Sequence, residues 1–157
     1  WNPPYCGDIG LAIAADGQWH YRGTPIGRPA LARLFASILR KDEDGRTYVV
    51  TPVEKIDVAV ADAPFLAVDM ARTGEGRAQV LTFRTNVDDL VTADADHPLR
   101  FAVQAENGGL KPYVRVRGRL EALVSRAVMI DLVELSDMGE DRTRPGVWSS
   151  GVFFPFP

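Results

Sequence analysis

The chain has 157 residues, 46% of them hydrophobic and 25% charged, with a formal net charge of −3. That length suits one domain or two small ones sharing a core, and the composition excludes extensive disorder. The charge argues against a general nucleic-acid binder, which needs a strongly basic surface, and no apolar run approaches the roughly 18 residues that span a bilayer.

Trp1 to Gly7 holds two prolines and reads as an irregular arm. The sequence opens on Trp1 rather than methionine, so further residues are expected before it, with room for a targeting peptide. The single cysteine, Cys6, precludes an internal disulfide and favours a reducing, cytoplasmic setting. Ile9–Ala14 and Gln18–Arg22 flank Asp16-Gly17, a hairpin signal that puts Trp19 and Tyr21 on one face and His20 and Arg22 on the other. After the break Thr24-Pro25-Ile26-Gly27-Arg28, the spacing of Leu31, Leu34, Phe35, Ile38 and Leu39 predicts an amphipathic helix. Pro29 suits its first turn, and Arg40 and Lys41 suit its C-terminal dipole.

Asp42–Arg46 reads as a charged turn and Thr47–Thr51 as a strand stopped by Pro52. Ile56–Val60, Phe65–Met70 and Ala78–Arg84 are further strands, the last preceded by a turn at Gly74–Arg77. Leu99–Ala105 and Tyr113–Arg117 flank Asn107-Gly108-Gly109, a second hairpin signal. From Arg119 onward Leu120, Leu123, Val124, Ala127, Val128, Leu132 and Leu135 favour a C-terminal helix, with a strand or a break near Ser125 as the alternative. Asp137–Pro145 is a polar loop, and the aromatic tail Gly146–Pro157 must pack back on the body.

Mixed strands with two helices define an α+β class of mostly antiparallel strands. A weak internal repeat adds to this. His20-Tyr21-Arg22-Gly23-Thr24 matches Thr82-Phe83-Arg84-Thr85, and Tyr48-Val49-Val50 matches Tyr113-Val114-Arg115. The expected organisation is two small α+β units, residues 1–62 and 63–157.

Two histidines and one cysteine, with no Cys-x-x-Cys or spaced His pair, give no transition-metal motif. Asp94, Asp96 and His97, with Asp88-Asp89 nearby, could hold a hard cation, but a solvated turn is the plainer reading. No metal and no cofactor are expected. There is no Gly-x-Ser-x-Gly elbow, no Walker lysine loop and no Gly-x-Gly-x-x-Gly, and Ser149-Ser150-Gly151 reads as a turn. Gly23 to Arg28 leads into a helix N-terminus, where free N–H groups favour anions. Arg115, Arg117 and Arg119 alternate with core-facing Val114 and Val116, and Arg84 and Arg22 follow aromatic positions. Guanidinium forks bind phosphate or carboxylate, so Arg22, Arg84 and Arg115 with Tyr113 suit a small nucleotide-like anion. The plainer reading pairs these arginines with the acids, which number 21 against 18 bases.

Several segments in order resemble one family. They are Trp1-Asn2-Pro3-Pro4-Tyr5-Cys6-Gly7-Asp8-Ile9, Gly23-Thr24-Pro25-Ile26-Gly27-Arg28, Thr51-Pro52-Val53-Glu54-Lys55, Phe83-Arg84-Thr85-Asn86-Val87, Asp96-His97-Pro98-Leu99 and Gly146-Val147-Trp148-Ser149-Ser150-Gly151. Together they look like the proteobacterial DUF1285 family. The resemblance implies a duplicated α+β unit whose C-terminal part is loosely pleckstrin-homology-like, a ligand in the cleft between the units, and a role in signal transduction. By motif position it puts Thr24, Arg28, Thr51, Lys55, Arg84, Asn86, His97 and Arg115 near that cleft. The expected partner is thus a small anionic, nucleotide-like molecule, with no nucleic acid and no membrane. The alternatives are an enzyme using His97 with Asp96 or Cys6, and a protein-interaction module built on the aromatic tail.

Overall fold

A computed structural model describes residues 1–157. The first unit contains β1 (Tyr5–Ile13), β2 (Trp19–Tyr21), β3 (Thr24–Pro25), α1 (Pro29–Ser37), β4 (Leu39–Lys41), β5 (Thr47–Val50) and β6 (Lys55–Val60). Its six strands form one sheet in the order β3-β2-β1-β6-β5-β4. The second unit contains β7 (Phe65–Thr73), β8 (Val80–Thr85), β9 (Leu90–Thr92), β10 (Leu99–Val103), β11 (Leu110–Arg117), β12 (Leu120–Val124) and α2 (Arg126–Glu134). Its sheet runs β10-β11-β12-β7-β8-β9.

The two orders are the same pattern. Each unit is a pair of three-stranded antiparallel meanders, joined where its first strand runs parallel to its last: β1 beside β6, and β7 beside β12. The fold is therefore a duplicated α+β unit. The repeat reaches side chains: Arg40 of β4 stands opposite Tyr48 of β5, as Arg100 of β10 stands opposite Tyr113 of β11. Both tyrosine hydroxyls donate to an aspartate, Tyr48 to Asp44 at 2.6 Å and Tyr113 to Asp62 at 2.7 Å. The meanders of the first unit are bridged by α1, and those of the second by a short loop from Ala93 to Pro98.

Both sheets turn their apolar faces to one continuous core, which includes Ile13, Trp19, Val49 and Val58 of the first unit and Phe65, Leu81, Phe83 and Val114 of the second. A third sheet, β13 (Asp137–Met138), β14 (Pro145–Ser149) and β15 (Val152–Pro155), is made from the tail. Val147 and Phe154 carry the tail into the same core. Ser150 and Gly151, at φ 54° and 77°, make the β14–β15 turn. Trp148 and Phe154 of the tail are buried, and Phe153 and Phe156 are half-buried.

Three sequence expectations are corrected. The arm is a strand from Tyr5 onward, because the main chain there pairs with β6 through two register shifts. The first helix stops at Ser37, and Leu39, Arg40 and Lys41 form β4 against Val49, Tyr48 and Thr47. Arg40 and Lys41 therefore do not cap a helix. The C-terminal helix begins only after Ser125, whose side chain accepts from the Val128 N–H. Leu120, Ala122 and Val124 belong to β12, where alternate residues are buried.

Candidate functional site

The sequence-derived residues scatter over the surface. Arg22 follows β2 at φ 51°, with its guanidinium over the Tyr21 ring at 5.2 Å. Thr24 lies exposed on β3, and Arg28 is the exposed N-cap residue of α1, whose side chain makes no cap bond. The Thr51 hydroxyl accepts from the N–H groups of Val53 and Glu54, so it closes the β5–β6 turn. Lys55 pairs with Asp42 at 2.9 Å and lies over the Tyr48 ring at 4.3 Å. Arg84 meets Asp88 at 3.4 Å and Asp69 at 3.7 Å. His97 Nδ1 meets Asp94 Oδ1 at 2.9 Å, rather than Asp96 or Cys6, and the Cys6 thiol rests on the Pro4 carbonyl. Tyr113 is buried under Arg100, whose guanidinium stands 4.3 Å from its ring. Arg115 is exposed beside Glu121 in the β11–β12 register. Asn86 joins the two units: its Oδ1 accepts from the Leu66 N–H at 3.0 Å and its Nδ2 donates to the Gly17 carbonyl at 3.3 Å. No hydrogen bond, ion pair or ring contact joins any two of these ten residues to one another.

Two clefts open along the seam between the units. One, of about 420 Å³, lies between the β1–β2 turn, the start of α1 and the Asn86-Val87 corner. Its polar side chains are already engaged: Asn86 as described, and Arg33 with Asp88 at 2.9 Å. The other, of about 480 Å³, is lined by Leu39, Arg40 and Lys41 of β4 and by Arg117, Gly118, Arg119 and Leu120 of the β11–β12 hairpin. Four of its seven lining residues are cations, two from each unit.

The local chain explains this concentration. β4 is an edge strand. Val50 N–H bonds the Ile38 carbonyl and Asp42 N–H bonds the Arg46 carbonyl, so the intervening Leu39 and Lys41 turn their own main-chain groups to the open edge. On the facing unit a register shift between Arg115 and Arg117 interrupts the alternation of β11, and Gly118 makes the turn at φ 53°. Arg117 and Arg119 thus leave the outer face shared by Tyr113 and reach across the seam. Arg117 donates to the Ala36 carbonyl at the end of α1, and Arg119 donates to the Lys41 carbonyl at 3.4 Å.

The charges here are unequally matched. Arg40 grips Asp42 at 2.6 Å, and Lys55 takes the same carboxylate at 2.9 Å. The hydrogen bond from Arg40, then that from Lys55, holds the Asp42 carboxyl below its usual range despite partial burial. Arg117 has only Asp89 at 3.8 Å and Arg119 only Glu43 at 3.8 Å, while Lys41 has no carboxylate partner. A group of fixed guanidinium forks with excess positive charge is suited to holding an anion by charge-assisted hydrogen bonds.

Sequence reasoning missed this cleft. Its signal was present in Arg40-Lys41 and in Arg117-Gly118-Arg119, a glycine between two arginines that marks a basic hairpin tip.

A duplicated α+β unit with a basic seam defines the class, and comparison with known proteins gives the family. Residues 1–63 match the description "Domain of unknown function (DUF1285), N-terminal domain", and residues 64–156 match "Protein of unknown function (DUF1285), C-terminal domain". The chain belongs to the DUF1285 family. It is similar to the crystal structure of a DUF1285 family protein from Silicibacter pomeroyi DSS-3, at 51% identity and a TM-score of 0.94, covering 99% of this chain and 84% of that one. It is also similar to a DUF1285 family protein from Shewanella baltica OS155, at 29% identity and a TM-score of 0.63, covering 82% of this chain and 94% of that one. No protein with a curated description matches it. No helix is long and apolar enough to cross a membrane.

Proposed function

We propose that this chain is a ligand-binding protein whose ligand is a small anion seated in the seam between its two units. The observation that carries the reading is the cleft in which Arg40 and Lys41 of one unit face Arg117 and Arg119 of the other. A binding site shared by two units is completed only when both are correctly placed, which suits a sensor better than a passive surface. The finer reading is a cytoplasmic signalling role with a nucleotide-like ligand. Phosphates would meet the arginines, and Trp1, whose carbonyl accepts from Arg40 and whose ring is exposed, would offer a face for a base.

The test is a thermal-shift series with inorganic phosphate, pyrophosphate, nucleotides and dicarboxylates at constant ionic strength. A ligand at a hundredfold excess over its Kd adds about 2.7 kcal/mol to stability, which raises the midpoint by several degrees. The double variant Lys41→Gln, Arg119→Gln should abolish that rise. If no anion shifts the midpoint, or if the double variant shifts as wild type does, the cleft is not the site.

A further inference from the structure

The ion pairs of this protein differ in tightness. Arg40–Asp42, Arg46–Asp57, Lys55–Asp42, Arg33–Asp88 and Arg100–Glu121 all close to between 2.6 and 2.9 Å. The exposed pairs of Arg77 and Arg84 are loose, at 3.4 to 3.7 Å, and the longest pairs in the protein are those of Arg117 with Asp89 and Arg119 with Glu43, both 3.8 Å. Their carboxylates are the freer partners: the Asp89 side chain is 49% exposed and that of Glu43 92%. The guanidiniums are fixed by something else, since each donates to a main-chain carbonyl of the opposite unit, Ala36 for Arg117 and Lys41 for Arg119. The cations are therefore positioned by backbone, and the carboxylates only stand near them.

Five cations, Arg40, Lys41, Lys55, Arg117 and Arg119, share three carboxylates, Asp42, Glu43 and Asp89. Asp42 is held by two bonds from Arg40 and one from Lys55, so it is not displaced easily. Asp89 and Glu43 are the exchangeable members. From this we propose that Asp89 and Glu43 act as intramolecular place-holders on Arg117 and Arg119, and that the ligand which replaces them is a compact dianion of the phosphoryl type. The choice of phosphoryl over a planar carboxylate follows from the directions of approach. Lys41, Arg117 and Arg119 reach the cleft from two units and three chain positions. A tetrahedral group can accept from three such directions, whereas a single carboxylate presents its oxygens in one plane.

The inference rests on the anion-binding reading of the cleft and goes further in naming charge, shape and competitor. It predicts a particular sign: removing a carboxylate should tighten binding. Exposed pairs of this kind are worth about 0.2–1 kcal/mol each. Asp89→Asn and Glu43→Gln should therefore each raise affinity for inorganic phosphate by about 1.4-fold to 5-fold, and together by their product.

Isothermal titration of the full chain with inorganic phosphate, with methyl phosphate and with malonate tests this. The titrations are made on wild type, Asp89→Asn, Glu43→Gln and Arg119→Gln, at a pH where phosphate is mostly dianionic and again one unit below its second pKa. The expected result is phosphate and methyl phosphate binding that weakens at the lower pH, strengthens in both carboxylate variants, and falls about tenfold or more in Arg119→Gln. Malonate should bind more weakly. If phosphate binds and Arg119→Gln removes it, but both carboxylate variants match wild type, the place-holder proposal fails while the anion site stands. If malonate binds as well as phosphate, the phosphoryl assignment fails. If no anion binds any variant, the underlying reading of the cleft fails as well. The amide variants remove only exposed charge, and an unchanged melting midpoint verifies that each is folded.

Discussion

Asn86 Nδ2 donates to the carbonyl of Gly17, and this bond ties the β8–β9 corner of one unit to the β1–β2 turn of the other. The approach is close enough that a Cβ on Gly17 would stand 2.5 Å from Asn86 Nδ2, and Gly17 already occupies φ +85°. Asn86 also accepts from the Leu66 N–H, so one side chain satisfies main chain on both sides of the seam. Asn86→Ala leaves these partly buried groups unpaired and should cost about 1–3 kcal/mol. Gly17→Ala should cost a comparable amount, from backbone strain plus the collision. Urea unfolding monitored by tryptophan fluorescence reads both, and a midpoint unchanged from wild type in Asn86→Ala would show that the bond is not structural.

A second latch holds the tail. Ser149 is fully buried, its hydroxyl accepting from the Leu81 N–H at 3.0 Å and donating to the Ala93 carbonyl at 2.7 Å. Gln79 Nε2 donates to the Trp148 carbonyl beside it at 2.9 Å. Ser149→Ala strands the Leu81 N–H in the core, removes one of the two bonds to the Ala93 carbonyl and should destabilise by about 1–3 kcal/mol. Ser150→Ala, at an exposed turn position whose neighbour still serves Ala93, should cost less than half as much. Equal losses in the two variants would contradict the buried latch.

The acid limb of stability should involve Asp42. Its hydrogen bonds from Arg40 and Lys55 depress its folded pKa below the ordinary value of 3.8. A depressed carboxyl contributes stability above its unfolded pKa and loses it as pH falls through the folded one. Wild type should therefore lose stability on acidification below about pH 4, and Asp42→Asn should flatten that part of the curve. Denaturant midpoints between pH 6 and pH 2.5 measure the slope, and parallel curves for the two proteins would refute the assignment.

The alkaline limb should involve Tyr48, whose pKa is raised to about 12, first by its hydrogen bond to Asp44. A raised acid contributes stability that is complete below the unfolded pKa of 10.0 and declines as pH climbs toward the folded value. In an absorbance titration of the phenolates, Tyr48→Phe should remove a late step near pH 12. Loss of an early step instead would place Tyr48 in an ordinary environment.

Much of the duplication was readable in the sequence, because short aromatic-Arg and Tyr-Val strings recur near equivalent strands: His20 and Tyr21 lie on β2 with Arg22 just past its end, Thr82 to Arg84 lie on β8, and Tyr48 and Tyr113 share the fifth strand of their units. The hairpin at Asp16-Gly17 and the turn at Ser150-Gly151 were readable for the same reason: local backbone geometry demands those residues. What escaped was set by distant partners. Ile38 and Leu39 continue a helical spacing, yet Leu39 pairs with Val49 once β5 is in place. Leu120, Leu123 and Val124 fit a helix or a strand equally well, and β7 decides for the strand. Arg117 and Arg119 read as a continuation of the strand face of Arg115, because nothing local says that α1 and β4 will lie opposite them.

The parallel pairing at the centre of each unit also orders events in time. Tyr5 finds its neighbour only when Lys55 has been made, and Phe65 only when Ala122 has. During synthesis each growing sheet is one three-stranded meander and one two-stranded hairpin until its last strand emerges to join them. The shared core then adds a further delay, since Val147 and Phe154 arrive last of all. High contact order of this sort slows folding, and exposed apolar surface left without its partners aggregates, so a stop codon before Val147 should yield aggregate rather than a shorter domain.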